Sequence, residues 1–146
     1  MRSPVIDCST AMAWAMMDES SAVAEFALEQ LKVAGGVAPQ LWWAELRNAL
    51  LVAERRGRTT PAITDAALAA LDALPVRLDR KPHGPMVLRL AREHELTVYD
   101  AIYLELALRE NRPLATLDRK LARAAEAAGV KLLSPTTPGS SPGAGP

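Results

Sequence analysis

Short apolar stretches alternate with helix-periodic ones along almost the whole chain, and few folds accept that pattern. Val5-Ile6, Val37-Ala38, Val76-Arg77-Leu78 and Leu114-Ala115-Thr116 are each too short for a buried helix but long enough for a strand. Strands separated by helices are joined by crossovers, which make neighbouring strands parallel and leave the helices on the sheet's faces. The predicted class is therefore α/β with a mainly parallel sheet.

In detail, a strand is expected over residues 3–7. Ser9 or Thr10 would cap the helix after it, running to about Met17. Asp18-Glu19-Ser20-Ser21 would open a second helix to Ala34, with Val23, Phe26, Ala27 and Leu31 at helical spacing and Gly35-Gly36 as its stop. A strand over 37–39 precedes a helix over 41–56, whose apolar face is Trp42, Leu46, Ala49, Leu50 and Ala53. Then come a helix over 61–74 with Pro61 in its first turn, a strand over 75–78 and a helix over 85–94. Thr97 caps a helix over 98–110, a strand covers 114–116, and a helix over 119–128 closes at Gly129. Residues 130–133 read as a last strand.

The chain's 146 residues suit one domain, assigned to 1–133. Residues 134–146 are only Ser, Pro, Thr, Gly and Ala, too poor in apolar surface to offset their ordering entropy, so a disordered tail is expected. With 17 basic and 17 acidic side chains there is no net charge to steer the protein to nucleic acid, and such binding must rest on local patches. The single cysteine, Cys8, excludes an internal disulfide and fits a reducing compartment. No basic-then-apolar leader and no apolar run near ~18 residues is visible, so neither secretion nor membrane spanning is expected, and the cytoplasm is the expected location.

Four acids fall where this pattern would bring them together. Asp7 ends the first strand and Asp118 follows a later one, and sites in open parallel sheets form beyond the carboxyl ends of strands. Each also has a plain structural reading, as a turn residue or a helix cap. Asp100 lies three residues after Thr97, a capping-box spacing, where the helix dipole favours its charge. Its apolar neighbours Tyr99, Ala101, Ile102 and Tyr103 suggest a buried helix start. Glu45 borders the apolar side of its helix, where an unpaired carboxylate is costly, and Asn48 one turn on could hold it. At ~4 Å and an effective dielectric of ~20, each like-charge pair costs about 4 kcal/mol. Such a cluster calls for a cation, and an all-oxygen donor set suits Mg²⁺ or Mn²⁺.

The wording around these acids carries a resemblance. Val-Ile-Asp-Cys-Ser at 5–9, Trp-Trp-Ala-Glu-Leu-Arg-Asn-Ala-Leu at 42–50, Thr-Val-Tyr-Asp-Ala-Ile-Tyr at 97–103 and Leu-Ala-Thr-Leu-Asp at 114–118 occur in that order. This resembles the PIN-domain ribonucleases, most closely the VapC-type toxins of toxin–antitoxin pairs, over roughly 4–133. The resemblance implies a three-layer α/β/α sandwich, usually dimeric, that cleaves RNA with Mg²⁺ or Mn²⁺ and leaves a 5′-phosphate and a 3′-hydroxyl. It maps the family's acids onto Asp7, Glu45, Asp100 and Asp118, and its small hydroxyl residues onto Ser9 and Thr116. It also implies a VapB-type antitoxin as partner.

Candidate phosphate contacts are Arg55, Arg56 and Arg58, then Arg77, Arg80 and Lys81, then Arg119, Lys120 and Arg123; only Arg119 and Lys120 lie beside a proposed ligand. His83 and His94 lack partners at metal-ligand spacing and read as surface or capping residues. Cys8 reads as a small buried thiol, and the three tryptophans as core, although adjacent Trp42 and Trp43 must point apart, so one could face a dimer or antitoxin surface. Competing readings are a haloacid-dehalogenase or receiver-type domain, whose further acids are not evident here, a non-catalytic PIN-like binding module, and a PIN nuclease of RNA maturation.

Overall fold

The central strand, β1 (Val5–Ile6), is two residues long. It pairs in parallel with β2 (Gly36–Pro39) on one side and with β4 (Leu114–Ala115) on the other. The strand β3 (Val76–Asp79) continues the sheet beyond β2, giving the order β3-β2-β1-β4 with every pairing parallel. This computed structural model describes residues 2–16 and 21–135. The first helix, expected to reach about Met17, already ends at Ala15 with Met16 extended, and the opening of the second at 18–20 and the tail from 136 onward lie outside the described residues.

Seven helices lie among the described residues: α1 (Cys8–Ala15), α2 (Ala22–Ala34), α3 (Leu41–Arg55), α4 (Pro61–Asp72), α5 (Gly84–His94), α6 (Val98–Glu110) and α7 (Arg119–Ala127). They form the outer layers of an α/β/α sandwich. One group gathers around α1, which packs on α2, α3 and α4. The other gathers around α6, which packs on α5, α7 and the strands β1 and β2. Val5, Ile6, Leu114 and Ala115 are wholly buried between the layers, as are Leu31, Leu46, Leu104 and Leu106. Each such large aliphatic side chain contributes about 1.5–3 kcal/mol by leaving water. Two-residue strands survive because this burial, not the ladder alone, holds them.

Gly36 shows how tight the packing is. A β-carbon there would lie 2.3 Å from Leu31 Cδ1 and 3.3 Å from Ile6 Cγ1, so a larger residue would have to push the wholly buried Leu31 side chain aside.

Four further features depart from the sequence expectation. The strand expected over 3–7 is confined to Val5–Ile6, because Asp7 already serves as the N-cap of α1 and accepts from the Thr10 N–H. Ser9 and Thr10 are therefore inside the first turn and cap nothing. The last strand, expected over 130–133, is a single bridge from Leu114 to Leu132. The start of α6 is less buried than its apolar wording suggests: Val98 and Tyr99 are exposed, while Ala101 and Tyr103 carry the contact with the core.

Candidate active site

Register builds the site. Ile6 pairs with Ala115, so the next residues along each strand, Asp7 and Thr116, stand side by side at the carboxyl edge of the sheet. The Asp7 N–H donates to the Ala115 carbonyl at 3.2 Å, and the Thr116 hydroxyl donates to Asp7 Oδ2. As N-cap of α1, Asp7 also accepts from the Thr10 N–H at 2.9 Å through Oδ1. The Ser9 hydroxyl reaches both Asp7 oxygens, at 2.8 and 2.9 Å, and itself accepts from the Leu117 N–H at 2.8 Å. Asp7 is thus buried and fixed in orientation by Ser9, Thr10 and Thr116.

The second loop to reach this edge is the short link from β2 into α3, which carries Glu45 in the second turn of the helix. The Trp42 indole N–H, donating at 3.3 Å to the Asp7 carbonyl, ties the start of α3 to the end of β1. Glu45 is half-buried, and its Oε1 accepts from the Tyr103 hydroxyl at 2.5 Å. The expected holder, Asn48, is exposed and does not fill this role. Tyr103 belongs to α6, one turn after Asp100, so one helix supplies both an acid of the site and the group that holds another. Asp100 is itself fixed at the helix start, where its N–H donates to the Thr97 hydroxyl at 3.1 Å. Asp118 is exposed and caps α7, accepting from the Lys120 and Leu121 N–H groups at 2.9 and 3.1 Å.

Electrostatics join the four acids into a chain. Burial raises the Asp7 carboxyl above its ordinary range, against hydrogen bonds from Thr116, Thr10 and Ser9 that pull it down. Burial raises Glu45 too, and the charges of Asp100 and Asp7 push it the same way against the Tyr103 hydrogen bond. Asp100 is raised by burial and then by Asp118, with Thr97 and Lys120 opposing. Each acid therefore feels the next: Asp7 with Glu45, Glu45 with Asp100, Asp100 with Asp118. Cys8 sits among them with its thiol pushed up to about 12 by burial and by the charges of Glu45 and Asp7, so it stays protonated at neutral pH and is a poor nucleophile.

Among the described residues, no three carboxylate, imidazole or thiol side chains gather closely enough to form a ready metal shell. Mg²⁺ does not need three side chains, since it commonly takes one or two carboxylates plus substrate phosphate and keeps several waters. The donors are all oxygen, and neighbouring acids whose pKa values are raised by burial and by one another are the groups a divalent cation stabilises in ionised form.

All six residues singled out in the sequence lie around this edge. Tyr103 and Thr10 were missed as supports. The signal for Tyr103 was its place three residues after Asp100, which puts the two on one helical face. Also missed was a charged cluster along α6: Arg109 bridges Glu105 at 2.7 Å and Asp79 at 2.7 Å, and both of these carboxylates are buried.

Comparison with known proteins gives the family of the chain. The family model for the PIN domain matches residues 5–127. Ribonuclease VapC1 of Mycobacterium tuberculosis is 42% identical over 91 residues, covering 60% of this chain and 65% of that protein. Ribonuclease VapC3 of the same organism is 39% identical over 90 residues, covering 60% of this chain and 63% of that protein. The matched stretch is thus just under two thirds of either relative's length. Among solved structures, the crystal structure of PAE2754 from Pyrobaculum aerophilum superposes with a TM-score of 0.67 at 27% identity, covering 84% of this chain and 86% of that one.

Proposed function

Since this chain belongs to the PIN-domain family, we propose that it is a Mg²⁺- or Mn²⁺-dependent endoribonuclease and the toxin of a VapBC-type toxin–antitoxin pair. The observation that supports this most is the chain of coupled acids, Asp7, Glu45, Asp100 and Asp118, at the carboxyl edge of the parallel sheet. The likeness to two ribonucleases of VapC type adds the substrate class and the toxin role.

A divalent ion bound there would lower the pKa of a water and polarise a phosphoryl oxygen. The protein's part is to hold oxygens in place. Ser9, Thr116 and the Thr10 N–H orient the Asp7 carboxylate, and Tyr103 orients Glu45. Asp100 and Asp118, at the starts of two helices, present their carboxylates on the more open side, where RNA would arrive. Water is the attacking group and no side chain forms a covalent intermediate.

The nuclease domain is assigned to residues 1–133, so a chain ending at Leu133 should fold and cleave like the full one. No helix among the described residues is long and apolar enough to cross a membrane, and the toxin reading puts the protein in the cytoplasm with its RNA. The outward Trp43, half-exposed and stacked by the Arg47 guanidinium at 3.9 Å, is assigned to a partner surface, either a second copy or a VapB-type antitoxin.

The test is incubation of purified protein with a mixed tRNA and rRNA pool, with and without Mn²⁺, followed by mapping of the cut ends. Cuts that need the ion and leave 5′-phosphates are expected; an intact pool under both conditions overturns the nuclease reading. Expression should arrest growth and the Asp7→Asn variant should not. Equal growth would remove the toxin role and favour RNA maturation.

A further inference from the structure

We propose that the groove between the end of α5 and the outer face of α7 is an RNA-binding subsite, holding the sugar-phosphate of a nucleotide that flanks the cut bond. This rests on the nuclease reading and deepens it. The groove has a volume of about 290 Å³ and is lined by His94, Lys120, Arg123, Ala124 and Ala127. Its walls grow from the segments beside two of the acids. Lys120 is two residues past Asp118, and His94 three residues before Thr97, the cap of the helix that carries Asp100. Lys120 is near enough for its charge to act on Asp100. The two alanines keep the floor low, so a sugar-phosphate backbone can settle between the cations.

The protein has no net charge, so attraction to RNA must be local. Arg77, Arg109 and Arg112 are already bound to carboxylates, as are Arg47, Arg89 and Lys32. Among the described residues, Arg2, Arg92, Arg119 and Lys131 are exposed without an ion pair and lie outside this groove, whereas Lys120 and Arg123 are unpaired, exposed cations that line it together. The nearest carboxylate to His94 is Glu93, with Oε2 4.0 Å from the imidazole Nε2. Arg55 and Arg56 are also unpaired, but they end α3, ten residues beyond Glu45 and so about 15 Å along the axis. Arg80 and Lys81 follow β3, two strands from Asp7 and so about 9–10 Å across the sheet. Phosphate contacts of this kind fix position without reading sequence.

The experiment measures binding of a fluorescent single-stranded oligoribonucleotide in EDTA, where cleavage is blocked, across a series of salt concentrations. Each phosphate contact on a single strand contributes ~0.7 to the slope of log affinity against log salt. The Lys120→Ala/Arg123→Ala variant should lose about 1.4 from that slope. Arg55→Ala/Arg56→Ala should keep the wild-type slope, and so should the charge-retaining Lys120→Arg/Arg123→Lys. If the alanine pair proves unfolded by circular dichroism, Lys120→Gln/Arg123→Gln gives the same reading. An unchanged slope in the folded α7 variant, or an equal loss in the α3 variant, overturns the subsite. Cleavage is not read here, so wild-type cutting beside an unchanged slope removes the subsite and leaves the nuclease. A lost slope without any metal-dependent cutting does the reverse.

Discussion

The Tyr103 hydroxyl donates to Glu45 Oε1 at 2.5 Å, joining α6 to α3 across 58 residues of sequence. The ring is wholly buried, and burial together with Glu45 raises the phenol far above its ordinary pKa, so the proton stays on tyrosine. The bond therefore has one direction, and it fixes which Glu45 oxygen is left for a cation.

Tyr103→Phe removes that hydroxyl and nothing else. Hydrogen bonds to a charged group contribute about 1.5–3 kcal/mol, and a half-buried Glu45 should put the loss near the lower figure. Denaturant unfolding measures it. If the bond positions Glu45, the variant should also bind Mn²⁺ several-fold more weakly in a spin-resonance titration. A Glu45→Gln background should abolish that difference. Equal Mn²⁺ affinity of wild type and Tyr103→Phe would reduce Tyr103 to a core residue.

The acids make a pH prediction whose sign is fixed by linkage. Glu45 and Asp100 have folded-state pKa values raised above their unfolded ones, so the folded protein holds these protons more tightly. Their contribution to stability is full below the unfolded values of about 4 and is lost as pH rises through the raised ones. Glu110 is lowered, with Arg77 and Arg112 outweighing its burial, and contributes the opposite trend. Comparison with Glu45→Gln/Asp100→Asn cancels that term. In chelator, wild type should lose melting temperature relative to the variant as pH rises from about 4 to neutrality. Mn²⁺ at neutral pH should restore wild type alone. Parallel melting curves across that range would contradict the raised values.

Removing Thr116's hydroxyl as Thr116→Val keeps the side chain's shape and takes a donor from a buried carboxylate. A buried acceptor left short of partners costs about 1–3 kcal/mol. Ser9 still reaches both Asp7 oxygens, which should keep the loss at the low end. Cleavage should fall more than stability, because Asp7 Oδ2 then keeps only the Ser9 hydroxyl that it shares with Oδ1. A variant that cuts RNA at the wild-type rate would show that Thr116 serves only the fold.

Arg109 faces Glu105 and Asp79, both buried. Arg109→Met leaves two acids without their cation, and breaking such an arrangement costs about 3–5 kcal/mol. The Arg109 side chain is a third exposed, which favours the lower figure. Loss of less than about 1 kcal/mol in urea unfolding would mean water already shields both carboxylates.

The order of strands and helices was legible because each strand core is an apolar pair or triplet punctuated by Gly, Pro or a capping residue. What could not be read was where strands stop. Asp7 looks like the end of a strand, yet its side chain captures the Thr10 N–H and starts a helix at Cys8. Val130 to Leu133 has strand wording, but its pairing with β4 is the single bridge at Leu132, held by the Leu114 N–H to the Lys131 carbonyl and the Leu133 N–H to the Leu114 carbonyl. The acids were visible from their places after strands and at helix starts. Their holders were less so, since Asn48 and Tyr103 both lie within a plausible reach of Glu45 until helix directions are known. Buried Glu105 was hidden because a charged residue in an apolar helix face reveals its partner only in three dimensions.

Mn²⁺-dependent cleavage of RNA by the folded Asp100→Asn variant, set beside wild type at equal concentration, tests the central reading most directly. Asp100 sits between Glu45 and Asp118 in the chain of acids, and its side chain caps no helix, so circular dichroism should be unchanged. Wild type should cut only when the ion is present, and the variant should not cut. Cutting by both proteins at the same rate would contradict a metal-dependent centre built on these carboxylates.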